Sequence, residues 1–202
     1  MVVTSAHAYA VLDRVERFHG KIFSVVTDRV TMPGGGQADR DYVRHVGAVG
    51  VVPLDDEGRV LLVRQYRHPV AKMMWELPAG LVDVAGESPT GTADRELAEE
   101  ADLRCERLDL LVDLHTSPGF SDELIRVFLA RGLSSIPEAE RFQRSAEEAE
   151  LTARWVPLDE AVAMALRGEI TNAAAVAGVL AAARARDDGW RPLRDPSTPL
   201  VR

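Results

Sequence analysis

Residues 80–103 read GLVDVAGESPTGTADRELAEEADL, and this stretch decides what the rest of the chain is for. Ser88-Pro89 announces a helix, because serine can accept from the free N–H groups of a first turn and proline suits the first helical position. The helix is expected to run to about Ala101. On it Glu96 and Glu100 stand four residues apart and share a face, with Glu99 beside them. Ala93, Leu97 and Ala101 form a second stripe, narrow and small, suited to lying on a sheet. Arg95 is placed to pair with Glu99 four residues on. Clustered carboxylates on one helix face repel, and a divalent cation removes that penalty. Hard oxygen ligands select magnesium or manganese over zinc. An arbitrary acidic tetrad is most often only a solvated helix face. Here the spacing of the whole stretch is what gives it meaning.

That spacing resembles the Nudix box, the signature of Nudix hydrolases: G, five residues, E, seven residues, then REUxEExGU with U aliphatic. Gly80 opens it, Glu87 follows, and Arg95-Glu96-Leu97-Ala98-Glu99-Glu100-Ala101-Asp102-Leu103 closes it. Two positions depart from the pattern. Six residues separate Gly80 from Glu87, an insertion ahead of the helix where insertions are tolerated. Asp102 stands where the pattern has glycine, at a helix end that calls for a left-handed backbone, which Asp adopts at modest cost.

The resemblance implies a divalent metal, Mg2+ with Mn2+ able to substitute, bridging a diphosphate and polarising the water that attacks phosphorus. It implies Glu96, Glu100 and the backbone carbonyl of Ala79 as metal ligands, with Glu99 an inner or outer ligand. Arg95 would orient the carboxylates and Glu87 would brace the loop by charge pairing. In the ADP-ribose pyrophosphatase subfamily, which this chain also resembles, a mobile glutamate sits in the acidic loop before the last strand. Glu147, Glu148 and Glu150 occupy that place here. Glu148 is ranked first as base and additional metal ligand, with Glu150 and Glu147 behind it and Glu99 as the fallback.

Residues outside the box resemble the ADP-ribose pyrophosphatase subfamily from about residue 15 to about 185. They include Arg64-Gln65-Tyr66-Arg67, Trp75-Glu76-Leu77-Pro78-Ala79-Gly80, the closing GEITNAAAVAGVL, and Pro118, 16 residues beyond Asp102 in an SPG context. Arg67 resembles the arginine that holds the substrate phosphates, for which a planar guanidinium is a good match. Arg40 and Asp41 resemble an Arg–acid pair contributed by the partner subunit. Glu123 matches an acid contacting the terminal ribose. Trp75 is expected in the core, and His45, His68 and His115 are expected to be hydrogen-bonded or exposed.

Further out the chain reads mostly as strands before the helix. Lys21–Met32 is β-branched and closed by Pro33-Gly34-Gly35-Gly36. Tyr42–Leu54 and Arg59–Arg67 flank Asp55-Asp56-Glu57-Gly58, which reads as a hairpin turn. After the helix come strands at Leu108–His115, Glu123–Ala130 and Leu151–Val156, a long polar loop from Ser134 to Ala149, and helices at Leu158–Arg167 and Asn172–Arg186. The implied architecture is α/β, a Nudix α/β/α sandwich around a mixed sheet with an N-terminal antiparallel β-extension. Its expected divisions are residues 1–44 for dimerisation and substrate binding, 45–186 for the hydrolase domain, and 187–202 as an extended tail.

Composition agrees with an enzyme of this kind. The chain has 202 residues, 46% hydrophobic and 28% charged, ordinary for a globular protein. Lys and Arg number 24 against 32 Asp and Glu, a net charge of −8, which argues against a nucleic-acid partner. One cysteine, Cys105, excludes an intrachain disulfide, and no apolar run is long enough to cross a membrane. Together with the absence of a signal-like start these features point to the cytoplasm. The expected activity is hydrolysis of ADP-ribose to AMP and ribose 5-phosphate, or of a related ADP-sugar, by a homodimer. Pyrophosphatase action on another nucleotide sugar such as GDP-mannose is the alternative. A non-catalytic Nudix ligand sensor is a third reading, against which the intact REUxEE argues.

Overall fold

The computed structural model describes residues 8–143 and 150–199; Glu147 and Glu148 lie outside the described residues. The chain divides into two compact units, one formed by residues up to Val46 together with Ser117–Glu123, the other by Gly47–Thr116 and the chain from Leu124 on.

The first unit is an antiparallel meander of β1 (Val11–His19), β2 (Phe23–Thr31) and β3 (Gln37–His45). The glycine run after Pro33 makes the β2–β3 connection, Gly34 and Gly35 both having positive φ. Asp28 of β2 is buried and takes a two-pronged bond from Arg14 and a third from the Tyr42 hydroxyl. The Arg14 guanidinium therefore holds the Asp28 carboxyl below the usual range. Residues 117–123 are stitched to the end of β3: the Val43 N–H donates to the Phe120 carbonyl, and the Asp122 carboxylate accepts from the His45 N–H at 2.7 Å.

The second unit holds two sheets. An antiparallel sheet in the order β10 (Thr152–Pro157), β5 (Arg59–Arg67), β6 (Lys72–Glu76) stands beside a mixed one. The mixed sheet runs β7 (Ala79–Leu81), β4 (Ala48–Pro53), β9 (Leu124–Ser135), β8 (Leu103–His115), with β4 and β9 parallel. Period-two alternation splits the strands' apolar residues between two cores. Val49, Val51, Leu61 and Phe128 face helix α1 (Pro89–Ala101) through Ala93 and Leu97. Val52, Leu62, Val127 and Leu129 face α2 (Leu158–Leu166) and α3 (Ala173–Asp187). Helices thus cover both sides of the strands, as the α/β reading expects. The alanine-rich α3 packs tightly: a Cβ on Gly178 would lie 2.8 Å from Leu77.

Several strand boundaries differ from the sequence reading. Tyr42–Leu54 is not one strand, because β3 ends at His45 and β4 starts at Ala48, with Gly47 at φ 92° between them. The Asp55–Gly58 turn joins strands of two different sheets and closes with one bridge, Leu54 to Val60, rather than a hairpin ladder. Strand β8 starts at Leu103 and β9 reaches Ser135, so the long loop begins later than expected. Arg104, Glu106 and Arg107 are exposed there, and an outward polar face hides a strand from any reading based on apolar runs. Beyond α3, Arg194 bridges to Leu110 at the sheet edge, and the buried Arg126 donates to the Thr198 carbonyl at 2.6 Å while pairing with Asp113.

Candidate active site

Helix α1 forms where local chemistry asks for it. Ser88 caps it, accepting from the Gly91 N–H at 3.1 Å, and Pro89 is its first residue. It ends at Asp102, which adopts the left-handed conformation (φ 54°) expected of the box's missing glycine.

Glu96 and Glu100 are only 7% and 5% exposed, although they are charged and belong to the helix's polar set. Each rests on β7. The Glu100 carboxylate accepts from the Ala79 N–H at 2.9 Å. Glu96 lies flat on Gly80, so close that a Cβ there would stand 1.9 Å from its Oε1. Any side chain at residue 80 would push the Glu96 carboxylate away, which is the physical reason for the glycine.

Arg95 holds the cluster together. Its guanidinium pairs with both Glu87 oxygens at 3.1 and 3.0 Å, with Glu96, and with Glu99 at 3.4 Å. The Arg95 hydrogen bonds, helped by one from Thr92, keep the Glu87 carboxyl below its ordinary range, and Arg95 is held all the more firmly in its charged form. Glu96, Glu99, Glu100 and Ala79 are therefore brought together, with Arg95 and Glu87 bracing them.

Two nearly buried carboxylates beside a strand backbone make an all-oxygen donor set, which suits a hard divalent ion. Among the described residues no three acidic side chains close into a cage. An ion held here would complete its shell with water or substrate oxygens, the arrangement magnesium prefers.

Arg67, at the end of β5, shows a partner that the sequence reading left unassigned. Its Nε and Nη2 bond the carboxylate of Glu76, with Nη2 to Oε2 at 2.7 Å. Glu76 is 1% exposed, and Gln65 Nε2 lies 3.5 Å from its Oε2. The available signal was a lone glutamate between Trp75 and Leu77 in an apolar stretch.

Arg40, Asp41 and Glu123 belong to the first unit. Arg40 is exposed and donates to the Asp39 carbonyl; Asp41 accepts from the Thr27 hydroxyl at 2.6 Å; Glu123 lies 3.6 Å from His45 Nδ1. Glu150 is described and exposed, whereas Glu147 and Glu148 are outside the described residues. Trp75 packs at the edge of the core with the Arg64 and Arg154 guanidiniums 5.6 and 5.7 Å from its ring centre. His68 lies near the Tyr66 hydroxyl, and His115 is exposed.

Comparison with known proteins bears on the whole arrangement. A family model described as NUDIX domain matches residues 44–177. An ADP-ribose pyrophosphatase of Mycobacterium tuberculosis is 52% identical over 164 residues, 80% of this chain and 77% of that protein. A methanol dehydrogenase activator of Bacillus methanolicus is 43% identical over 117 residues, 58% of this chain and 63% of its own length. A crystal structure of an ADP compounds hydrolase superposes with a TM-score of 0.77, covering 92% of this chain and 98% of that one. At 19% identity it speaks for the fold alone.

Proposed function

The chain belongs to the Nudix family, and from that premise we propose that it hydrolyses the diphosphate of ADP-ribose, or of a related ADP-sugar, to AMP and the sugar phosphate. The observation that carries the reading is the seating of Glu96 and Glu100 on Ala79 and Gly80, a buried oxygen-donor pair inside a chain 52% identical to an ADP-ribose pyrophosphatase.

Glu96, Glu100, Glu99 and the Ala79 carbonyl would hold magnesium, for which manganese can substitute. When bound, the ion neutralises charge on the diphosphate oxygens and makes water a better nucleophile. The chain's own residues supply the rest of the chemistry. Arg95 keeps the carboxylates in register. Arg67 binds the phosphates through its planar donors. Glu123 contacts the terminal ribose, and Arg40 and Asp41 form an Arg–acid pair that each subunit contributes to its partner's substrate site. Glu148 accepts the proton of the attacking water, with Glu150, Glu147 and Glu99 as successors if it does not. Each role rests on the position of the residue in the family pattern.

Three further parts complete the proposal. Residues 1–44 serve dimerisation and substrate binding, 45–186 carry the chemistry, and 187–202 are an extended C-terminal tail. The enzyme works as a homodimer. Its compartment is the cytoplasm, which suits the unbridged, half-buried Cys105; no described helix is long and apolar enough to cross a membrane.

The test is a panel of ADP-ribose, ADP-glucose and GDP-mannose with magnesium, read as release of the nucleoside monophosphate. ADP-ribose should give the highest kcat/KM. Replacing Glu100 by Gln should lower kcat roughly a thousandfold with the fold intact, because an amide is a poor ligand for a hard cation. Glu148→Gln should lower kcat far more than it raises KM. A preference for GDP-mannose overturns the substrate, and Glu100→Gln within a few-fold of wild type overturns the site.

A further inference from the structure

Glu76 stands out as a charge in a place made for leucine. It closes β6 and is paired in register with Val63 of β5, so Gln65 and Arg67, two and four residues on, share its face of the sheet. Its side chain is 2% exposed, against 42% for that of Arg67. Withdrawing a carboxylate from water is costly unless it is paired, and an apolar residue of similar size would pack there at less cost. Arg67 supplies the pairing edge-on: Nε lies 3.0 and 3.2 Å from the two carboxylate oxygens, and Nη2 lies 2.7 Å from one. A two-atom contact of this kind fixes the plane of the guanidinium as well as its place.

We propose that Glu76 is the positioning residue of Arg67, holding its guanidinium in the orientation that receives the substrate's diphosphate. The inference rests on the reading of Arg67 as the phosphate-binding arginine. A free arginine side chain explores many rotamers, and a ligand that needs one of them must select it. Clamped by its inner edge to a buried strand carboxylate, Arg67 is ordered before substrate arrives.

The clamp is also tied to the carboxylate site by the chain itself. Glu76 is followed by the buried Leu77 and the stiff Pro78. Ala79 then bonds Glu100, and Gly80 receives Glu96. One short segment, Glu76 to Gly80, therefore fixes both the arginine and the acidic pair. Glu76 itself touches no substrate in this scheme.

The test is a double-mutant cycle on the magnesium-loaded enzyme with ADP-ribose, with kcat, KM and Tm measured for each variant. Glu76→Gln keeps the shape and removes the charge; it should raise KM about tenfold and leave kcat within about threefold. Arg67→Lys keeps the charge and removes the planar fork, and should raise KM by a similar factor. The double variant should be no worse than the worse single one. If Glu76→Gln is too unstable to assay, Glu76→Asp keeps the charge while drawing it back, and should raise KM with Tm near wild type.

Factors that multiply in the double variant would show Glu76 acting by a route other than Arg67, and would overturn the proposal. So would a KM raised by Arg67→Lys but unmoved by either change at Glu76, an outcome that leaves the role of Arg67 intact. An unchanged KM in Arg67→Lys removes the reading of Arg67, and with it the clamp.

Discussion

Gly80 shows how much of the site hangs on a single missing methyl group. The Glu96 carboxylate occupies the volume in which a Cβ at residue 80 would sit, 1.9 Å from Oε1 and 2.1 Å from Cδ. Gly80→Ala should therefore rotate Glu96 off β7 and out of line with Glu100. Because displacements of about 1 Å in a catalytic arrangement can cost on the order of a hundredfold, a comparable fall in kcat/KM for ADP-ribose is expected. The loss of stability should be smaller, about 1 to 3 kcal/mol, since the helix can shift to relieve the overlap. Steady-state kinetics alongside thermal melting check both. Full activity in Gly80→Ala would mean that the seating of Glu96 is irrelevant to turnover.

At the scale of elements, helix α1 is bounded by two caps of different kinds. Its start is secured by the side chain of Ser88, its end by the left-handed backbone of Asp102, whose N–H donates to the Leu97 carbonyl. A left-handed backbone disfavours a residue with a Cβ, yet short polar side chains tolerate it. Glycine removes that strain and loses more chain entropy on folding, so Asp102→Gly should shift stability by less than about 0.5 kcal/mol. Asp102→Val has neither compensation and should destabilise by about 1 to 2 kcal/mol. In a domain of this size that is roughly a 2–8 °C fall in Tm by calorimetry. A large gain from Asp102→Gly would show that the box's usual glycine is worth more here than the backbone geometry allows.

For the whole molecule, the first unit leaves apolar surface uncovered. Every residue of β1 is exposed, among them Val11, Leu12, Val15 and Phe18, and Ile22 and Phe23 after it are exposed as well. A three-stranded sheet that shows this much apolar side chain is a candidate for burial against another chain. The proposed homodimer accounts for it. Sedimentation at assay concentration should show paired 22.1 kDa chains, and Val15→Glu with Phe18→Glu should shift them to monomers with reduced kcat/KM. An active wild-type monomer defeats the assignment.

Helix α1 is legible in the sequence, because its signals are local: a cap at Ser88, a proline after it, and a polar face repeating within four residues. The family pattern read on those same residues carried the fold class and the chemistry. Strand pairing was not legible to that depth. The break at Gly47, the strand at Leu103–Arg107 and the joining of two sheets at Asp55–Gly58 depend on partners distant in sequence, and no run of apolar residues announces them. The Arg67–Glu76 clamp is the sharpest case. Its two halves sit in quoted motifs, but only the register of β5 on β6 places them on one face, and only burial by the surrounding core turns a surface charge into a buried anchor. Local sequence determined which residues form the carboxylate helix; long-range pairing and burial decided what each of those carboxylates, and the arginine outside the helix, rests upon.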